Sequence, residues 1–339
     1  MSSLPLVSVV MPVHNGEKYV LEAIQSILRQ TCKNFEFIIV NDGSDDSTAE
    51  ILERCKREDG RISIYHQKKL GFTTALNSAC KLAKGKYIAR MDADDISLPQ
   101  RFSRQVKFLE AHPAHSLCGT WIKAFSATKN HVISYPTDSE DIKCLLLFEC
   151  AFAHPSVMMR RKLFEVHGLS YNHSFREASD YSLWVEASKV GALMNIPEVL
   201  LFYRVHDSQV SEYDRERQQN LAQQVRIRQL KELGVSAEKD ELDLHAEIST
   251  GRFVSNKDFV DRSERWLLKL QRANEQKKIY EESIFRSLLS DKWFSVCNAA
   301  AGLGLWVSRR YSESQLARKT PLNFSRRLKL LAKCSMKLH

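Results

Sequence analysis

The stretch VSVVMPVHN, residues 7–15, is an apolar run that ends in polar residues, and it sets the pattern for the first quarter of the chain. A short apolar run bounded by turn-forming residues is typical of a strand buried on both faces. A segment with apolar residues at helical spacing follows it, and the alternation then continues to residue 91. The later strand-like runs are FEFIIV (35–40), RISIY (61–65) and KYIARM (86–91). This βαβαβαβ series predicts an α/β fold in which helices flank a mostly parallel sheet on both faces.

Polar clusters follow three of these four strands. They are His14-Asn15-Gly16, the stretch NDGSDDST at residues 41–48, and DADD at residues 92–95. In open α/β sheets, ligands bind outside the carboxyl ends of the strands. We therefore expect the three clusters to converge on one crevice.

Beyond residue 98 the periodicity is mixed. Helical patches cover 101–110 and 179–189, and strand-like patches cover 117–125 and 199–203. After Tyr213 the sequence is almost wholly helical and charged, which predicts a domain boundary near residue 212. The expected organisation is a domain over 1–212, with halves over 1–98 and 99–212, and a helical C-terminal region over 213–339.

The net charge of +9 is located at the C-terminal end of the sequence. Residues 292–339 carry ten basic residues and one acidic residue, so residues 1–291 are balanced. This distribution argues against a nucleic-acid-binding protein and favours a neutral catalytic body with a cationic tail.

The N-terminal stretch and the cysteines indicate the compartment. The first residues lack a basic n-region and a small-residue cleavage pattern, so we expect a strand there and a cytoplasmic chain. The eight cysteines form no CxxC pair, which is typical of reduced thiols and not of a disulfide framework or a zinc site.

The DADD cluster places the carboxylates of Asp92, Asp94 and Asp95 directly after an apolar strand. Ionised groups so close together repel one another and lose hydration. A divalent cation would resolve this conflict, because Mg²⁺ and Mn²⁺ bind carboxylate and phosphate oxygens together. The alternative is that the acids cap the turn before Leu98-Pro99, since short acidic patterns are common in turns.

The stretch NDGSDDST also has two interpretations. Asp-Gly is a turn signal and the following serines and threonine are good helix N-caps, which by itself favours a purely structural turn. Alternatively, Asp42 accepts hydrogen bonds from a nucleobase while the turn leaves its carboxylate exposed at the crevice.

As a set, these motifs resemble family 2 glycosyltransferases, which have the GT-A fold. The motifs are VSVVMPVHNGEKYV, FIIVNDGSDDST, ALNSACKLAKGKYIARMDADDISLPQRFSRQV, HPSVMMRR, EASDYSLW and YRVHDSQVS. They occur in the family's order over residues 7–211. The resemblance implies a Rossmann-like nucleotide-binding half and an inverting transfer of a sugar from a nucleotide diphosphate donor, with a UDP-sugar expected.

The resemblance also implies the donor-side residues. Asp92 and Asp94 match the family's DxD motif, with Asp94 expected at a Mn²⁺ or Mg²⁺ ion and Asp92 at the ribose hydroxyls. Such an ion would stabilise the charge that develops on the leaving diphosphate. Asp95 either supports the metal or caps the turn. The expected nucleotide-binding set is Pro12, His14, Asn15, Asp42, Asn77, Arg90 and Asp92, and the expected metal ligands are Asp94 and His206.

On the acceptor side, Asp180 in EASDYSLW matches the family's catalytic Asp, the general base of an inverting displacement. The alternative is an acid that only stabilises a helix N-terminus. The sequence departs from the family pattern here, because Ser179 stands where Glu is common and Glu177 lies three positions before Asp180. The acceptor-side candidates are His154, Glu177, Tyr181 and Trp184.

The C-terminal stretch at residues 319–339 predicts a basic amphipathic helix. Arg326, Lys329, Lys333 and Lys337 would share one face, and Phe324, Leu328, Leu331 and Leu338 another. Such a helix suits an anionic membrane surface, although a solvated tail or a protein partner fits the pattern equally well. The apolar run at 293–307 is shorter than the ~20 residues that a spanning helix needs.

We therefore expect a glycosyltransferase that extends a lipid-linked or surface-polysaccharide acceptor, such as an O-antigen precursor, in the cytoplasm or at the inner face of the cell membrane. One alternative is a sugar-1-phosphate nucleotidyltransferase, which would need a Gly-rich basic loop where PVHNGEKYV offers Gly16 and Lys18. The other is a catalytically inactive scaffold that binds nucleotide sugars at the membrane.

Overall fold

The computed structural model describes residues 4–126, 128, 130–206, 215–318 and 323–335. The chain divides into two compact units. The first unit is Met1–Ile142 with Ala151–Ala222, and the second is Lys143–Cys150 with Gln223–His339. The second unit therefore includes an eight-residue segment from the middle of the chain, which the sequence analysis did not anticipate.

The first unit begins with the predicted alternation. Its elements are β1 (Val7–Val13), α1 (Val20–Leu28), β2 (Phe35–Asp42), α2 (Thr48–Glu58), β3 (Ile62–Gln67), α3 (Phe72–Leu82) and β4 (Tyr87–Arg90). β1 is buried along its whole length because it pairs in parallel with β2 on one side and β4 on the other. β3 extends the parallel ladder beyond β2. The predicted α/β fold is confirmed.

The rest of the first unit continues the same sheet in mixed orientation. Its elements are β5 (Ile96–Ser97), α4 (Arg101–Ala111), β6 (His115–Phe125), β7 (Asn130–Ile133), α5 (Ser139–Leu145), β8 (Met158–Arg160), α6 (Lys162–Glu165), α7 (Ser179–Val190) and β9 (Ala192–Arg204). The strand order is β3-β2-β1-β4-β8-β6-β9-β5, with β7 paired to β6. β8 runs antiparallel to both β4 and β6, whereas β6 and β9 pair in parallel, so only the run β3-β2-β1-β4 is parallel throughout. The four patches predicted in this region correspond to α4, α7, β6 and β9.

Apart from residues 143–150, the second unit is helical in its described part, as the sequence predicts. Its helices are α8 (Arg215–Glu232), which begins in the first unit, α9 (Lys239–Thr250), α10 (Lys257–Lys277), α11 (Glu282–Ala299), α12 (Leu305–Glu313), α13 (Gln315–Arg318) and α14 (Asn323–Ser335). Their apolar stripes meet in a core that contains the buried Trp266 and Trp293. Over the described ranges, none of these helices combines the length and the apolar character that crossing a bilayer would demand.

The predicted tail helix is present as α14, but its faces differ from the prediction. Its buried side chains are Leu330 and Cys334, whereas Leu328 and Leu331 are 52% and 44% exposed. Two of its basic groups are used within the unit. Arg326 forms an ion pair with Asp291, and Lys333 Nζ donates to Asn298 O at 2.9 Å. Lys337, Leu338 and the side chain of Phe324 lie outside the described residues.

Candidate active site

The acidic cluster occupies the turn between β4 and β5. One carboxylate oxygen each from Asp92, Asp94 and Asp95 lies within 4.8 Å of the others. The turn is held at both ends, because Met91 N donates to Val10 O at 3.1 Å and β5 pairs with the end of β9. The three acids therefore stand at the carboxyl end of β4, where the sequence places them.

Asp92 is paired with a buried cation. Arg90, the last residue of β4, is 1% exposed and forms an ion pair with Asp92 through Nη1. Its guanidinium lies 5.2 Å from the centre of the Phe72 ring, and its Nε has no hydrogen-bond partner among the described residues. Burial raises the pKa of Asp92, while the charge of Arg90 acts against this rise. The structure thus brings Arg90 and Asp92 together, as expected of neighbouring site residues.

Asp94 and Asp95 are held by the end of β9. His206 Nε2 lies 3.0 Å from Asp94 Oδ2, and Arg204 Nε donates to Asp94 O at 2.8 Å. The backbone N–H of Arg204 donates to Asp95 Oδ1 at 2.9 Å. His206 therefore reaches the acidic cluster although 110 or more positions separate it from these acids in sequence.

Asp95 is the most deeply buried of the three acids. It is fully buried, and its Oδ2 has no hydrogen-bond partner in the described part of the chain. Burial, together with the charges of Asp92 and Asp94, raises the pKa of Asp95 well above its usual value. The cluster thus brings three carboxylates together, of which Asp92 is paired with Arg90, and this set of oxygen donors fits a divalent cation.

The residues after β1 form a tight turn against the start of α2. Asn15 has φ of 52°, and its side chain donates to Asp45 Oδ1 at 2.6 Å and accepts from Asp45 N at 3.1 Å. Gly16 N donates to Thr48 Oγ1 at 2.8 Å. Pro12 is buried within β1, and the buried His14 Nδ1 has no hydrogen-bond partner in the ranges described. Two of the three predicted clusters therefore meet directly at this turn.

Asp42 differs from its predicted exposure. It is 4% exposed, and its carboxylate accepts hydrogen bonds from Gln67 Nε2, Leu70 N and Gly71 N at 2.7, 2.8 and 2.8 Å. The parallel register pairs Asp42 with Gln67, which places the carboxylate under the turn after β3. The expectation of an exposed carboxylate was wrong, because three donors of that turn enclose it.

Asp180 lies in the first turn of α7, as the sequence predicts. Burial raises its pKa, against the Tyr181 backbone N–H and the charge of Arg90. Glu177, in the preceding 3₁₀ turn (His173–Ala178), lies 3.5 Å from Arg217 Nε. Asp180 and Arg90 are thus close enough to interact, while Glu177 pairs with an arginine of α8.

The other acceptor-side candidates are buried or half-buried. Tyr181 is 3% exposed and Trp184 is not exposed, so neither presents an open ring surface to the crevice. His154, in the 3₁₀ turn His154–Ser156, lies 3.0 Å from the hydroxyl of Tyr171 through its Nε2. Burial, followed by the charge of Arg90, lowers the pKa of His154 well below its usual value. Tyr181, Trp184 and His154 therefore lie behind the surface of the site, and we call them the wall of the site.

Sequence reasoning missed two buried residues, Tyr171 and Arg101. The side-chain amide of Asn77, a predicted nucleotide-binding residue, bonds both backbone groups of Tyr171. Arg101 is fully buried without a carboxylate partner among the described residues, and its Nη2 donates to Arg90 O at 2.6 Å. Burial, and then the charge of Arg90, lowers the pKa of Arg101 to about 9. The available signal was a basic residue on the apolar stripe of α4.

Comparisons with known proteins agree with this geometry. The model of the family described as glycosyl transferase family 2 matches residues 8–168. An uncharacterized glycosyltransferase of Haemophilus influenzae is 35% identical over 237 residues, which cover 67% of this chain and 73% of that protein. The O-antigen biosynthesis glycosyltransferase WbnJ of Escherichia coli is 33% identical over 210 residues, which cover 60% of this chain and 81% of that protein.

Solved structures show the same fold at low sequence identity. Staphylococcus aureus TarS 1-349 in complex with UDP-GlcNAc has a TM-score of 0.58 and 14% identity, covering 96% of this chain and 90% of that one. The mannosyltransferase PcManGT from Pyrobaculum calidifontis, in complex with GDP-Man and Mn²⁺, has a TM-score of 0.57 and 16% identity, covering 98% and 87%.

The sheet and these relatives define a glycosyltransferase with the GT-A fold. Within that class, the chain belongs to glycosyl transferase family 2. The resemblance found in the sequence motifs is thereby confirmed.

Proposed function

We propose that the chain transfers a sugar, with inversion, from a nucleotide diphosphate sugar to a hydroxyl group of a lipid-linked or surface-polysaccharide acceptor, with a UDP-sugar as the first candidate donor. The observation that carries the proposal is the acidic cluster at the end of β4, with Arg90 beneath it and Asp180 within electrostatic range. The donors named for TarS and PcManGT, and the O-antigen role named for WbnJ, support the donor and acceptor classes.

The acidic cluster is the proposed site of a divalent cation. Its three carboxylates lie together, Arg90 forms an ion pair with Asp92, and Asp95 Oδ2 lacks a partner among the described residues. We assign Asp94 and His206 as the ligands. When bound, Mn²⁺ or Mg²⁺ supplies positive charge to the diphosphate leaving group.

The chain's own residues would hold the donor on both sides of that cluster. Asp92, which forms an ion pair with Arg90, would accept hydrogen bonds from the ribose hydroxyls. His14 Nδ1 at the end of β1 has no hydrogen-bond partner within the described ranges, which supports a nucleotide contact there, together with Pro12, Asn15 and the region of Asp42. Because the amide of Asn77 holds both backbone groups of Tyr171, we assign Asn77 to that contact and leave it out of the nucleotide-binding set.

Asp180 is the proposed general base. In an inverting displacement the acceptor oxygen attacks the anomeric carbon as the bond to the diphosphate breaks, and the hydroxyl proton passes to a carboxylate on the acceptor side. Burial of Asp180 makes its carboxylate more basic, which favours this proton transfer. Residues 1–98 would thus form the donor half and residues 99–212 the acceptor half.

The exposed side of α14 is the proposed contact with an anionic membrane. Leu328 and Leu331 are exposed on this helix, and Lys329 is exposed between them. Apolar side chains flanked by basic groups suit the interface of an anionic bilayer, where a lipid-linked acceptor would be found. We therefore expect the protein to lie in the cytoplasm and to bind the inner face of the cell membrane peripherally.

The transfer proposal is tested by incubating the protein with UDP-sugars and GDP-sugars, Mn²⁺ and an extract of lipid-linked saccharides, and measuring release of UDP or GDP. Asp94→Ala and Asp180→Asn should each lower the rate at least ~100-fold while circular dichroism stays unchanged. Asp240→Asn is a matched control, because Asp240 is an exposed acid in the first turn of α9. Full turnover in both site variants would show that the site is assigned to the wrong residues.

A further inference from the structure

The loop that leads to Asp180 is anchored at a single buried residue. Of residues 164–177, all of them described, Tyr171 alone is buried, and its side chain is not exposed at all. From the contacts of this side chain and its backbone we propose that Tyr171 is a positioning residue for the general base Asp180. The inference rests on the proposed function of Asp180.

The first contact fixes the backbone of Tyr171 to α3. Asn77 Nδ2 donates to Tyr171 O at 2.8 Å, and Tyr171 N donates to Asn77 Oδ1 at 3.0 Å. One side-chain amide thus satisfies both polar groups of one residue 94 positions away, as a neighbouring strand would. This two-point contact restrains position and direction of the chain more strongly than a single hydrogen bond.

The second contact fixes the side chain of Tyr171 to the wall of the site. Its hydroxyl lies 3.0 Å from His154 Nε2, and the two rings are 5.3 Å apart between centroids. The His154 ring is in turn 5.9 Å from the Trp184 ring, which lies one helical turn after Asp180 on α7. Tyr171 is therefore linked to α7 by packing as well as by the chain.

The chain between Tyr171 and Asp180 is short and ordered. Asn172 caps the 3₁₀ turn by accepting from Ser174 N at 2.9 Å, and this turn runs directly into α7 at Ser179. A displacement of Tyr171 would therefore move the start of α7, on which Asp180 sits.

The same contacts connect the loop before Asp180 to the residues of the donor side. Phe72, the first residue of α3, lies 5.2 Å from the Arg90 guanidinium that holds Asp92, and 6.1 Å from the His154 ring. α3 thus contacts Arg90 on the donor side through Phe72, and it contacts Tyr171 through Asn77. The distance between the carboxylate that accepts the proton and the site of the breaking bond would depend on this link, and small errors in such a distance slow catalysis strongly.

Two variants separate the two contacts. Tyr171→Phe removes the bond to His154 and keeps the ring and the backbone clamp, whereas Asn77→Leu removes the clamp and keeps Tyr171. We expect both to lower kcat by about tenfold or more while the KM for the sugar nucleotide and the calorimetric affinity for UDP or GDP with Mn²⁺ stay within about twofold. Tyr65→Phe is the control, because Tyr65 is 43% exposed on β3.

A readout without substrate tests the anchor itself. Arg176 is exposed in the loop, and Arg252 is exposed in the second unit. In Asn77→Leu, trypsin cleavage after Arg176 should accelerate while cleavage after Arg252 does not change, because the loop has lost its restraint. Unchanged cleavage after Arg176, or equal loss in kcat and nucleotide affinity, would overturn the assignment. An absence of transfer by the wild type would instead overturn the proposed function, and the cleavage ratio would still decide the anchor.

Discussion

His245 on α9 should make the second unit sensitive to acid. The side chain is fully buried, Nε2 lies 3.1 Å from Leu147 O, and Nδ1 accepts from Trp266 Nε1 at 3.1 Å. The indole N–H can only donate, so the imidazole is neutral with its proton on Nε2. A second proton would have to be placed on Nδ1, against the indole N–H. Burial accordingly lowers the pKa of His245 to about 3.

The sign and size of the effect follow from that value. Because the folded pKa lies below the unfolded value of about 6.5, the unfolded chain binds the proton first as the pH falls. The contribution of His245 to the free energy of unfolding is complete above about pH 6.5 and is lost progressively down to about pH 3. At about pH 4.5 the gap of two units corresponds to a loss of about 2.7 kcal/mol.

The assay is urea unfolding at about pH 7.5 and about pH 4.5, followed by intrinsic tryptophan fluorescence, to which Trp266 beside His245 contributes. His245→Gln is the matched variant, since an amide can donate to Leu147 O and accept from Trp266 without titrating in this range. Its unfolding free energy should fall less than that of the wild type by about 2–3 kcal/mol between the two pH values. His131→Gln, at an exposed position of β7, is the control and should lose as much unfolding free energy as the wild type between the two pH values.

Equal losses of stability in the wild type and in His245→Gln would refute the reasoning. Such a result would mean that the folded state accepts the proton on His245 as readily as the unfolded chain does.

Three further outcomes are expected. Arg101→Lys should lower the free energy of unfolding by about 2–3 kcal/mol in a urea titration, because lysine cannot replace the bonds to both Arg90 O and the Gln105 side chain on α4. Wild-type stability of this variant would contradict the prediction. Gly43→Ala should lower the free energy of unfolding by at least ~1–2 kcal/mol, since Gly43 has φ of +68° and an added Cβ would lie 2.7 Å from a backbone nitrogen. Gly60→Ala is the control and should be nearly neutral in the same titration, because no atom lies near the added Cβ. The double variant Leu328→Ser, Leu331→Ser should bind vesicles with anionic lipid at least ~tenfold more weakly than the wild type in a co-sedimentation assay, without a change in Tm. Undiminished binding would exclude this face of α14 as the membrane contact.

The strands and the acids at their ends could be predicted because their signals are local. An apolar run such as Val7–Val13 has few alternatives to a buried strand, and the acids after β4 follow from their place in the sequence. The position of Asp180 in the first turn of α7 was predictable for the same reason. These features need only the period of the pattern and the direction of the chain.

What could not be predicted depends on register and on distant partners. The burial of Asp42 follows from its pairing with Gln67, and no property of residues 41–48 indicates which residue β3 places opposite it. The contact between Asn77 and Tyr171 joins a helix to a loop 94 positions away. For α14, periodicity marks an apolar stripe but does not say which side the unit buries, and Leu330 is the residue it encloses.

The assignment of Lys143–Cys150 to the second unit limits which truncated forms of this protein can remain folded. Within those eight residues Leu147 and Phe148 are fully buried among the helices of that unit, and Arg226 Nε and Gln229 Nε2 bond the backbone oxygens of Phe148 and Leu146. A fragment that stops at residue 222 would keep this apolar segment and lose everything that covers it. A minimal catalytic fragment made by C-terminal truncation should therefore aggregate unless these side chains are first replaced by polar ones.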